Sequence, residues 1–267
     1  MRLFIEPGDL IVNCPPTFGM YSFDAGVNAA RVINVWRRPD FSLAIDQIEA
    51  VFDPPPPRAA SGGVPKLIFV TSPNNPDGSL LGNDDLRRLL ALPAVVVLDE
   101  AYVEFCSQPS RIQWVRQYPN LIVLRTFSKW AGLAGLRVGY GGFPLPIIDH
   151  LWKIKQPYNV PVTGQVAALV SLQDRACLLE RVARLVEQRE KTLAALARLK
   201  WLEPHPSQAN FILCRIKDRP GAVVKQQLAG RGILVRYYNS PGLADHVRIS
   251  IGAPAHMAQL EQVLNQL

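Results

Sequence analysis

Up to about residue 150, short apolar runs alternate with longer amphipathic segments. The runs are rich in Val, Ile and Leu, and they cover Leu10–Val12, Val32–Val35, Leu67–Val70, Val95–Leu98 and Leu121–Leu124. Short runs that are apolar almost throughout are typical of strands buried on both faces of a sheet. Strands that alternate with helices indicate an α/β protein with a mostly parallel, doubly wound sheet.

Two segments between these runs allow a more specific prediction. Asn83–Leu92 has a helical pattern, and Asn83 is a plausible N-cap because its short polar side chain can accept a backbone hydrogen bond. Pro54–Gly63 begins with four consecutive prolines and ends in Ser-Gly-Gly. This composition predicts a surface loop rather than a domain boundary, since a strand pattern resumes directly after it.

The pattern changes after Pro161. A long helical pattern runs from about Thr163 through Cys177 to Leu199, with one apolar face that contains Leu178, Val182, Leu185 and Val186. Shorter predicted elements follow: a strand over Asn210–Ile216, a helix over Ala222–Ala229, strands over Ile233–Val235 and Val247–Ile251, and a last helix from about Ala255. The sequence therefore predicts a large domain over residues 1–160 and a smaller α+β domain over residues 161–267.

Composition argues against several classes of function. The net charge is +7, but the basic residues are dispersed and no block of five like charges occurs, so we expect no nucleic-acid partner. No apolar run approaches the roughly 20 residues of a membrane helix, and the start of the chain lacks the pattern of a signal peptide. The four cysteines and four histidines have no metal-ligand spacing. We therefore predict no metal site and a reducing, cytoplasmic compartment.

Three of the predicted strands run directly into polar motifs. The motifs are Thr71–Gly78, Asp99–Tyr102 and Arg125–Lys129. In an open α/β sheet, ligands bind outside the carboxyl ends of the strands, so the three motifs should meet in one crevice. A carboxylate, a lysine and phosphate-binding groups are the minimum set for pyridoxal phosphate, which needs a lysine Schiff base and an acid beside its pyridine nitrogen.

The motifs also carry a family resemblance. S-P-N-N-P-x-G, D-E-A-Y-x-E-F and R-T-F-S-K-x-A-G-L-A-G-L-R-x-G-Y resemble the fold-type I aminotransferases and, more closely, the histidinol-phosphate aminotransferases. The resemblance extends from near residue 7 to the C-terminus. It implies a fold-type I architecture, pyridoxal 5'-phosphate as cofactor, a homodimer, and amino transfer from histidinol phosphate to 2-oxoglutarate. The implied small-molecule partners are thus an amino donor and a 2-oxo acid.

The resemblance implies a role for four residues at the strand ends. Lys129 would form the Schiff base and, once freed, move the proton between substrate and cofactor carbons, which is acid–base work worth about 10²–10⁴ in rate. Asp99 would pair with the pyridinium nitrogen. Asn75 and Tyr102 would hydrogen-bond the phenolate oxygen of the cofactor. Lys129, Asp99 and Tyr102 are thus the predicted catalytic residues.

Five further residues match binding positions of the family. Ser128 and Arg137 would bind the cofactor phosphate, since a guanidinium fork fits phosphate geometry. Phe18 would stack on the pyridine ring. In the smaller domain, Arg248 would bind the substrate carboxylate, and Arg236 would bind the substrate phosphate, with Asn75 also facing the substrate.

One departure from the family concerns the start of the chain. Family members carry a segment before the equivalent of Glu6–Asp9, and it includes a helix N-terminus that holds the cofactor phosphate. The same segment supplies an arm that reaches the active site of the partner subunit. We therefore expect this chain to lack an N-terminal segment that family members carry. The non-enzyme hypothesis is accordingly an inactive chain that folds and dimerises.

Two other enzyme hypotheses remain open at this point. A pyridoxal-phosphate decarboxylase of a phosphorylated amino acid, such as threonine phosphate, resembles the chain through the same motifs. The continuation Tyr102–Phe105 favours the aminotransferase over this decarboxylase. An aminotransferase with broad preference for aromatic amino acids is the third possibility. Two nearby acids, Glu100 and Glu104, are interpreted as structural or dimer-contact residues.

Overall fold

The computed structural model describes residues 1–53 and 63–267. The predicted loop Pro54–Gly63 therefore lies outside the described residues, apart from Gly63.

In the described part of the chain, one sheet has the order β2-β1-β3-β4-β5-β6. Its strands are β1 (Leu10–Asn13), β2 (Arg31–Asn34), β3 (Leu67–Thr71), β4 (Val95–Asp99), β5 (Leu121–Thr126) and β6 (Gly139–Gly142). Strands β1 to β5 pair in parallel, and β6 pairs antiparallel with β5. The mostly parallel sheet is thus confirmed.

Strand β6 was not predicted, because its sequence Gly-Tyr-Gly-Gly has no apolar run. Its glycines have a structural reason. A Cβ atom at Gly139 would lie 2.9 Å from the carbonyl oxygen of Arg125 in β5, and one at Gly141 would lie 2.6 Å from the ring of Phe143. Real Cβ atoms do not come this close to a backbone atom, so glycine allows the edge strand to approach β5.

The helices are α1 (Met20–Val27), α2 (Ile45–Ala50), α3 (Asn83–Leu90), α4 (Leu145–Ile154), α5 (Val162–Gln173), α6 (Arg175–Leu196), α7 (Gly221–Ala229) and α8 (Pro254–Leu264). Short 3-10 turns cover Val103–Phe105, Ile112–Arg116 and Ala134–Leu136. In the described ranges, no helix is both long and apolar enough to cross a membrane.

Two helix predictions were wrong in detail. The pattern after Thr163 forms two helices, because Asp174 between them has φ −95° and ψ 24°. Aspartate favours helix ends over helix interiors, since its side chain competes for backbone hydrogen bonds. Asn83 is not the N-cap of α3, which is Gly82. The Asn83 side-chain oxygen instead accepts a hydrogen bond from Arg111 Nε at 3.2 Å.

A second, antiparallel sheet has the order β7-β8-β10-β9. Its strands are β7 (Leu202–Pro204), β8 (Phe211–Ile216), β9 (Arg236–Tyr237) and β10 (His246–Ser250). The strand predicted over Ile233–Val235 was wrong, because the pairing with β10 begins one residue later, at Arg236. Ile233 and Val235 instead pack against the core of this second sheet without joining its ladder. In this segment, the apolar residues that pack on the core are thus not the residues that form the strand.

A third core cluster joins the two sheets. It contains Tyr102 and Phe105, which follow β4, together with Phe211 of β8. The predicted apolar face of Leu178, Val182, Leu185 and Val186 packs in this cluster, as expected. Arg189 of α6 is 3% exposed and donates to the carbonyl oxygens of Phe105 at 3.0 Å and Ala209 at 3.1 Å. These contacts fix the second sheet beside the carboxyl end of β4. The domain boundary at residue 160 stays a proposal.

Candidate active site

The three polar motifs lie at one edge of the parallel sheet. Thr71 and Asp99 are register partners at the ends of β3 and β4, and Asp99 is also paired with Leu124 of β5. Backbone hydrogen bonds extend this order beyond the strands, from Ser72 N to Asp99 O at 3.0 Å and from Glu100 N to Leu124 O at 2.9 Å. The side chains that follow these strand ends therefore enter the same crevice, as the parallel order predicts.

Asp99 has a hydrogen-bond donor at each carboxylate oxygen. Tyr21 Oη donates to Oδ2 at 2.6 Å, and the backbone amide of Ala101 donates to Oδ1 at 2.9 Å. Burial raises the pKa of the Asp99 carboxyl above its usual value, while these two hydrogen bonds and the charge of Lys129 act in the opposite direction. Asp99 is thus a half-buried carboxylate held by donors of its own chain.

Tyr21 was not identified in the sequence. It lies in α1, is 6% exposed, and stacks on Phe69 of β3 with ring centroids 4.9 Å apart. The ring of Phe18 meets it edge-on at 5.6 Å. A signal was available, because a tyrosine on the apolar side of a helix buries its ring and needs a partner for its hydroxyl. Its partner depends on how α1 packs on the sheet, which no local pattern gives.

Lys129 follows β5 and opens to solvent at the mouth of the crevice. Its Nζ atom lies 5.6 Å from the centre of the Tyr102 ring. Partial burial of the amino group lowers the pKa of Lys129 most, the cations Arg248 and Arg137 lower it further, and Asp99 raises it. An amine with a lowered pKa is more often unprotonated, and only the unprotonated amine is a nucleophile.

Asn75 and Tyr102 line the side of the crevice that faces the second sheet. Asn75 Oδ1 accepts hydrogen bonds from Arg248 Nη1 at 2.5 Å and from Tyr238 Oη at 3.4 Å. Tyr102 is buried with its ring edge-on to Phe211 at 5.1 Å, and burial raises the pKa of its hydroxyl to about 12. The motif after β3 is therefore connected directly to β10.

Two arginines of the second sheet flank one tyrosine. Arg236 and Arg248 are direct cross-strand partners of β9 and β10, so their side chains share one face. The guanidinium carbons of Arg236 and Arg248 lie 5.3 Å and 6.0 Å from the ring centre of Tyr238. Arg248 also lies 4.6 Å above the ring of Phe211, and its buried Nε has no hydrogen-bond partner among the residues described. The group is positively charged and has a free donor.

The remaining predicted residues lie around the mouth. Ser128 is partly buried, and its amide donates to Thr126 Oγ1 at 3.0 Å. Arg137 has a left-handed backbone with φ 55°, and its exposed side chain donates to the carbonyl of Ala134 at 2.9 Å. Phe18 is 42% exposed. The structure thus brings Arg137 near Lys129, whose pKa it lowers, while the hydrogen bond of Ser128 in the described part of the chain comes from its backbone amide.

The two other acids of this region bind structural partners. Glu100 is fully buried and accepts hydrogen bonds from the amide of Arg111 at 2.8 Å and from the Ser110 hydroxyl. Burial raises the pKa of its carboxyl. Glu104 forms an ion pair with Arg125 at 2.5 Å. Among the described residues, no group of three His, Cys, Asp or Glu side chains could hold a metal ion.

Comparison with known proteins gives consistent matches. The family model of aminotransferase class I and II matches residues 1–267. Histidinol-phosphate aminotransferase 1, chloroplastic, of Arabidopsis thaliana is 52% identical over 267 residues, which are 100% of this chain and 62% of that protein. Histidinol-phosphate aminotransferase of Roseiflexus castenholzii is 46% identical over 270 residues, with 100% of this chain and 70% of that protein covered.

A solved structure agrees with the fold. Histidinol-phosphate aminotransferase from Sinorhizobium meliloti, in complex with pyridoxal-5'-phosphate, has a TM-score of 0.85 and 26% identity, and the match covers 99% of this chain and 73% of that one. The chain spans 62% of the length of its Arabidopsis relative. The family model nevertheless matches every residue, and the sheet is that of a fold-type I α/β protein. The chain therefore belongs to the aminotransferase class I and II family.

Proposed function

We propose that the chain binds pyridoxal 5'-phosphate and transfers the amino group of histidinol phosphate to 2-oxoglutarate. The products are imidazole-acetol phosphate and glutamate. One observation carries the proposal: a half-buried carboxylate, Asp99, and an amine of lowered pKa, Lys129, face the same crevice at the carboxyl ends of β4 and β5. The relatives named as histidinol-phosphate aminotransferases support it, as does the neighbour that was solved with the cofactor.

The donor set of the crevice fits this cofactor. Asp99 would hold the protonated ring nitrogen, since each of its oxygens already accepts one hydrogen bond and a carboxylate accepts more. Lys129 would hold the aldehyde carbon covalently. Asn75 and Tyr102 would hydrogen-bond the phenolate oxygen, and the exposed ring of Phe18 would cover one face of the pyridine.

The cofactor phosphate would lie at the opposite end of the crevice. Ser128 offers a hydroxyl donor, and Arg137 offers a guanidinium whose hydrogen bond, among the residues described, is to a neutral carbonyl oxygen. Exchange of that carbonyl for a phosphate would pair the guanidinium with an opposite charge, and Arg–phosphate pairs frequently form two parallel hydrogen bonds. When bound, pyridoxal phosphate supplies the electron sink for the bond that breaks at the substrate Cα.

Proton transfer at the substrate is assigned to Lys129. Its Nζ would take the proton from Cα and deliver it to the neighbouring carbon, which is general acid–base catalysis. The charges of Arg248 and Arg137 favour the unprotonated amine that can act as the base. Asp99 would remain ionised at the end of the site opposite Lys129.

Anionic substrates would bind at the arginine pair. Arg248 now donates to a neutral amide oxygen of Asn75, and its Nε is unpaired within the described residues. Arg236 has its guanidinium over Tyr238 and is exposed. Two guanidinium groups on one face of a sheet can bind a phosphate or a carboxylate. The proposed reaction requires both, because the amino donor carries a phosphate and the amino acceptor carries carboxylates.

The proposed assembly is a homodimer, and the proposed compartment is the cytoplasm. Helix α5 exposes Val162, Val166, Leu169 and Val170, and α4 exposes Trp152. Apolar surface of this kind supports a partner copy that covers it. All four cysteines are free thiols, which agrees with a reducing compartment. Light scattering of the purified protein at several concentrations measures the assembly directly.

The test of the proposed function is a single-turnover experiment. Purified protein is loaded with pyridoxal phosphate, and histidinol phosphate is added without a 2-oxo acid. We expect the visible absorption band of the bound cofactor to disappear and to return when 2-oxoglutarate is added. A chain that takes up no cofactor would support the non-enzyme hypothesis. Release of CO₂ from threonine phosphate without amino transfer would support the decarboxylase.

A further inference from the structure

The hydroxyl of Tyr21 bridges the ends of two neighbouring strands. Tyr21 Oη lies 3.0 Å from Thr71 Oγ1 and 2.6 Å from Asp99 Oδ2. Thr71 and Asp99 are the last residues of β3 and β4, and they are register partners. A residue of α1 therefore ties together the two strand ends that form the floor of the crevice.

The direction of these hydrogen bonds follows from their chemistry. An ionised carboxylate can only accept, so the Tyr21 hydroxyl donates to Asp99. The Tyr21 oxygen is then free to accept the hydroxyl proton of Thr71. The two hydrogen bonds then form a chain from Thr71 through Tyr21 to one oxygen of Asp99, whose other oxygen accepts from the amide of Ala101. The arrangement favours the charged form of Asp99 and fixes the plane of its carboxylate.

The Tyr21 ring is held on two sides. Phe69 stacks on it with an interplanar angle of 19°, and Phe18 meets it edge-on at 82°. Burial raises the pKa of its hydroxyl well above the usual value, with the charge of Asp99 as a further cause. Tyr21 therefore remains protonated, and a donor, at any working pH. Phe18, which would cover the cofactor ring, is itself in contact with the residue that holds Asp99.

We propose that Tyr21 is a positioning residue: it orients the Asp99 carboxylate and keeps it ionised, so that Asp99 can pair with a protonated ring nitrogen. This inference rests on the proposed function. The charged and titratable groups that face Asp99 are Tyr21 from α1, Lys129 after β5 and Tyr102 after β4. Of these, Tyr21 is the one that donates a hydrogen bond to the carboxylate.

The first test uses the protein without cofactor. We expect Tyr21→Phe to raise the pKa of Asp99 by roughly one to two pH units, because a hydrogen bond to a charged group is lost. The measurement is an NMR titration of the carboxyl carbon of Asp99. Tyr118→Phe is the matched control, since Tyr118 stacks on Trp114 away from the crevice. An unchanged pKa of Asp99 in a folded Tyr21→Phe protein would overturn the proposal.

The second test separates positioning from packing. Dissociation constants are measured for pyridoxal phosphate and for its 1-deaza analogue, in which carbon replaces the ring nitrogen. Tyr21→Phe should weaken binding of pyridoxal phosphate by roughly 10–100-fold and leave the deaza analogue almost unaffected. Equal losses for both molecules would mean that Tyr21 only supports the packing. If the unmutated protein binds neither molecule, the proposed function fails, while the NMR titration still decides the role of Tyr21.

Thr71→Val provides an independent variant. Valine has nearly the shape of threonine and removes the donor behind Tyr21 without touching Asp99. The pKa of Asp99 should rise in the same direction by less than in Tyr21→Phe, because the Tyr21 bond itself remains. This variant decides the question if circular dichroism shows that Tyr21→Phe does not fold. No change in the pKa of Asp99 in Thr71→Val would then contradict the proposal.

Discussion

The two sides of the crevice differ in how their charges are satisfied. At the parallel sheet, Asp99 has a donor at each oxygen, and Tyr21 is locked between two aromatic rings. At the antiparallel sheet, Arg236 and Arg248 face aromatic rings, and Arg248 Nε has no partner among the described residues. A group that binds a permanent cofactor can be held in place by hydrogen bonds within its own chain, whereas a group that binds a substrate anion must keep free donors for it. We call the side with Asp99 and Lys129 the organised side, and the side with Arg236 and Arg248 the available side.

The largest effect is expected at Lys129. Lys129→Ala removes the proposed covalent attachment and the proton carrier, so turnover should fall by at least about 10²–10⁴. The fold should persist, because Lys129 is exposed at a strand end. Single-turnover rates measure the loss, and Lys155→Ala is the matched control, since Lys155 Nζ also lies over an aromatic ring, that of Trp152. Similar losses in both variants would contradict the assignment.

The next largest effect concerns the organised side of the comparison. Asp99→Asn keeps the shape but removes the negative charge, so bound cofactor should remain while turnover falls by about 100-fold. Absorption spectra and single-turnover rates give the two quantities separately. Near-normal rates in this variant would remove Asp99 from its proposed role and would also leave Tyr21 without one.

On the available side, the effect should depend on the substrate. Arg236→Ala should slow the half-reaction with histidinol phosphate by roughly 10–100-fold and spare an unphosphorylated aromatic donor. Arg215→Ala is the control, because Arg215 is an exposed arginine of the same sheet that pairs with Asp245 at 2.8 Å. Equal losses for the two donors would favour the broad aromatic aminotransferase.

The smallest effect is a shift in pH dependence. Arg248 lowers the pKa of Lys129, so Arg248→Gln should raise it. Less of the amine is then unprotonated at neutral pH, and covalent labelling of Lys129 by an aldehyde in the cofactor-free protein should need a higher pH. Arg236→Gln is the matched comparison, since Arg236 is not among the charges that act on Lys129. A shift of the same size in both variants would contradict the distinction between the two arginines.

The positions of Asp99 and Lys129 at one edge of the parallel sheet could be predicted from the sequence, for a physical reason. The buried strands are apolar almost throughout, so their polar ends are conspicuous, and parallel order places Asp99 and the motif with Lys129 at one edge. The prediction missed Tyr21 because its role depends on the packing of α1 and on the register of β3 with β4. These are long-range relations without a local pattern.

The available side was predicted less completely. Arg236 and Arg248 were identified by family resemblance, but their cross-strand pairing was not, since the preceding apolar residues Ile233 and Val235 indicated a strand that begins too early. Tyr238 between the two arginines was missed for the same reason. Strand β6 was missed because its glycines serve close approach rather than burial.

The central claim is that Lys129 is the lysine that holds the cofactor opposite Asp99. The most direct measurement is borohydride reduction of the protein loaded with pyridoxal phosphate, followed by digestion and mass spectrometry of the labelled peptide. We predict a single reduced adduct on Lys129 that is absent in Lys129→Ala and unchanged in Lys155→Ala. An adduct on any other lysine, or equal labelling of several lysines, would contradict the account.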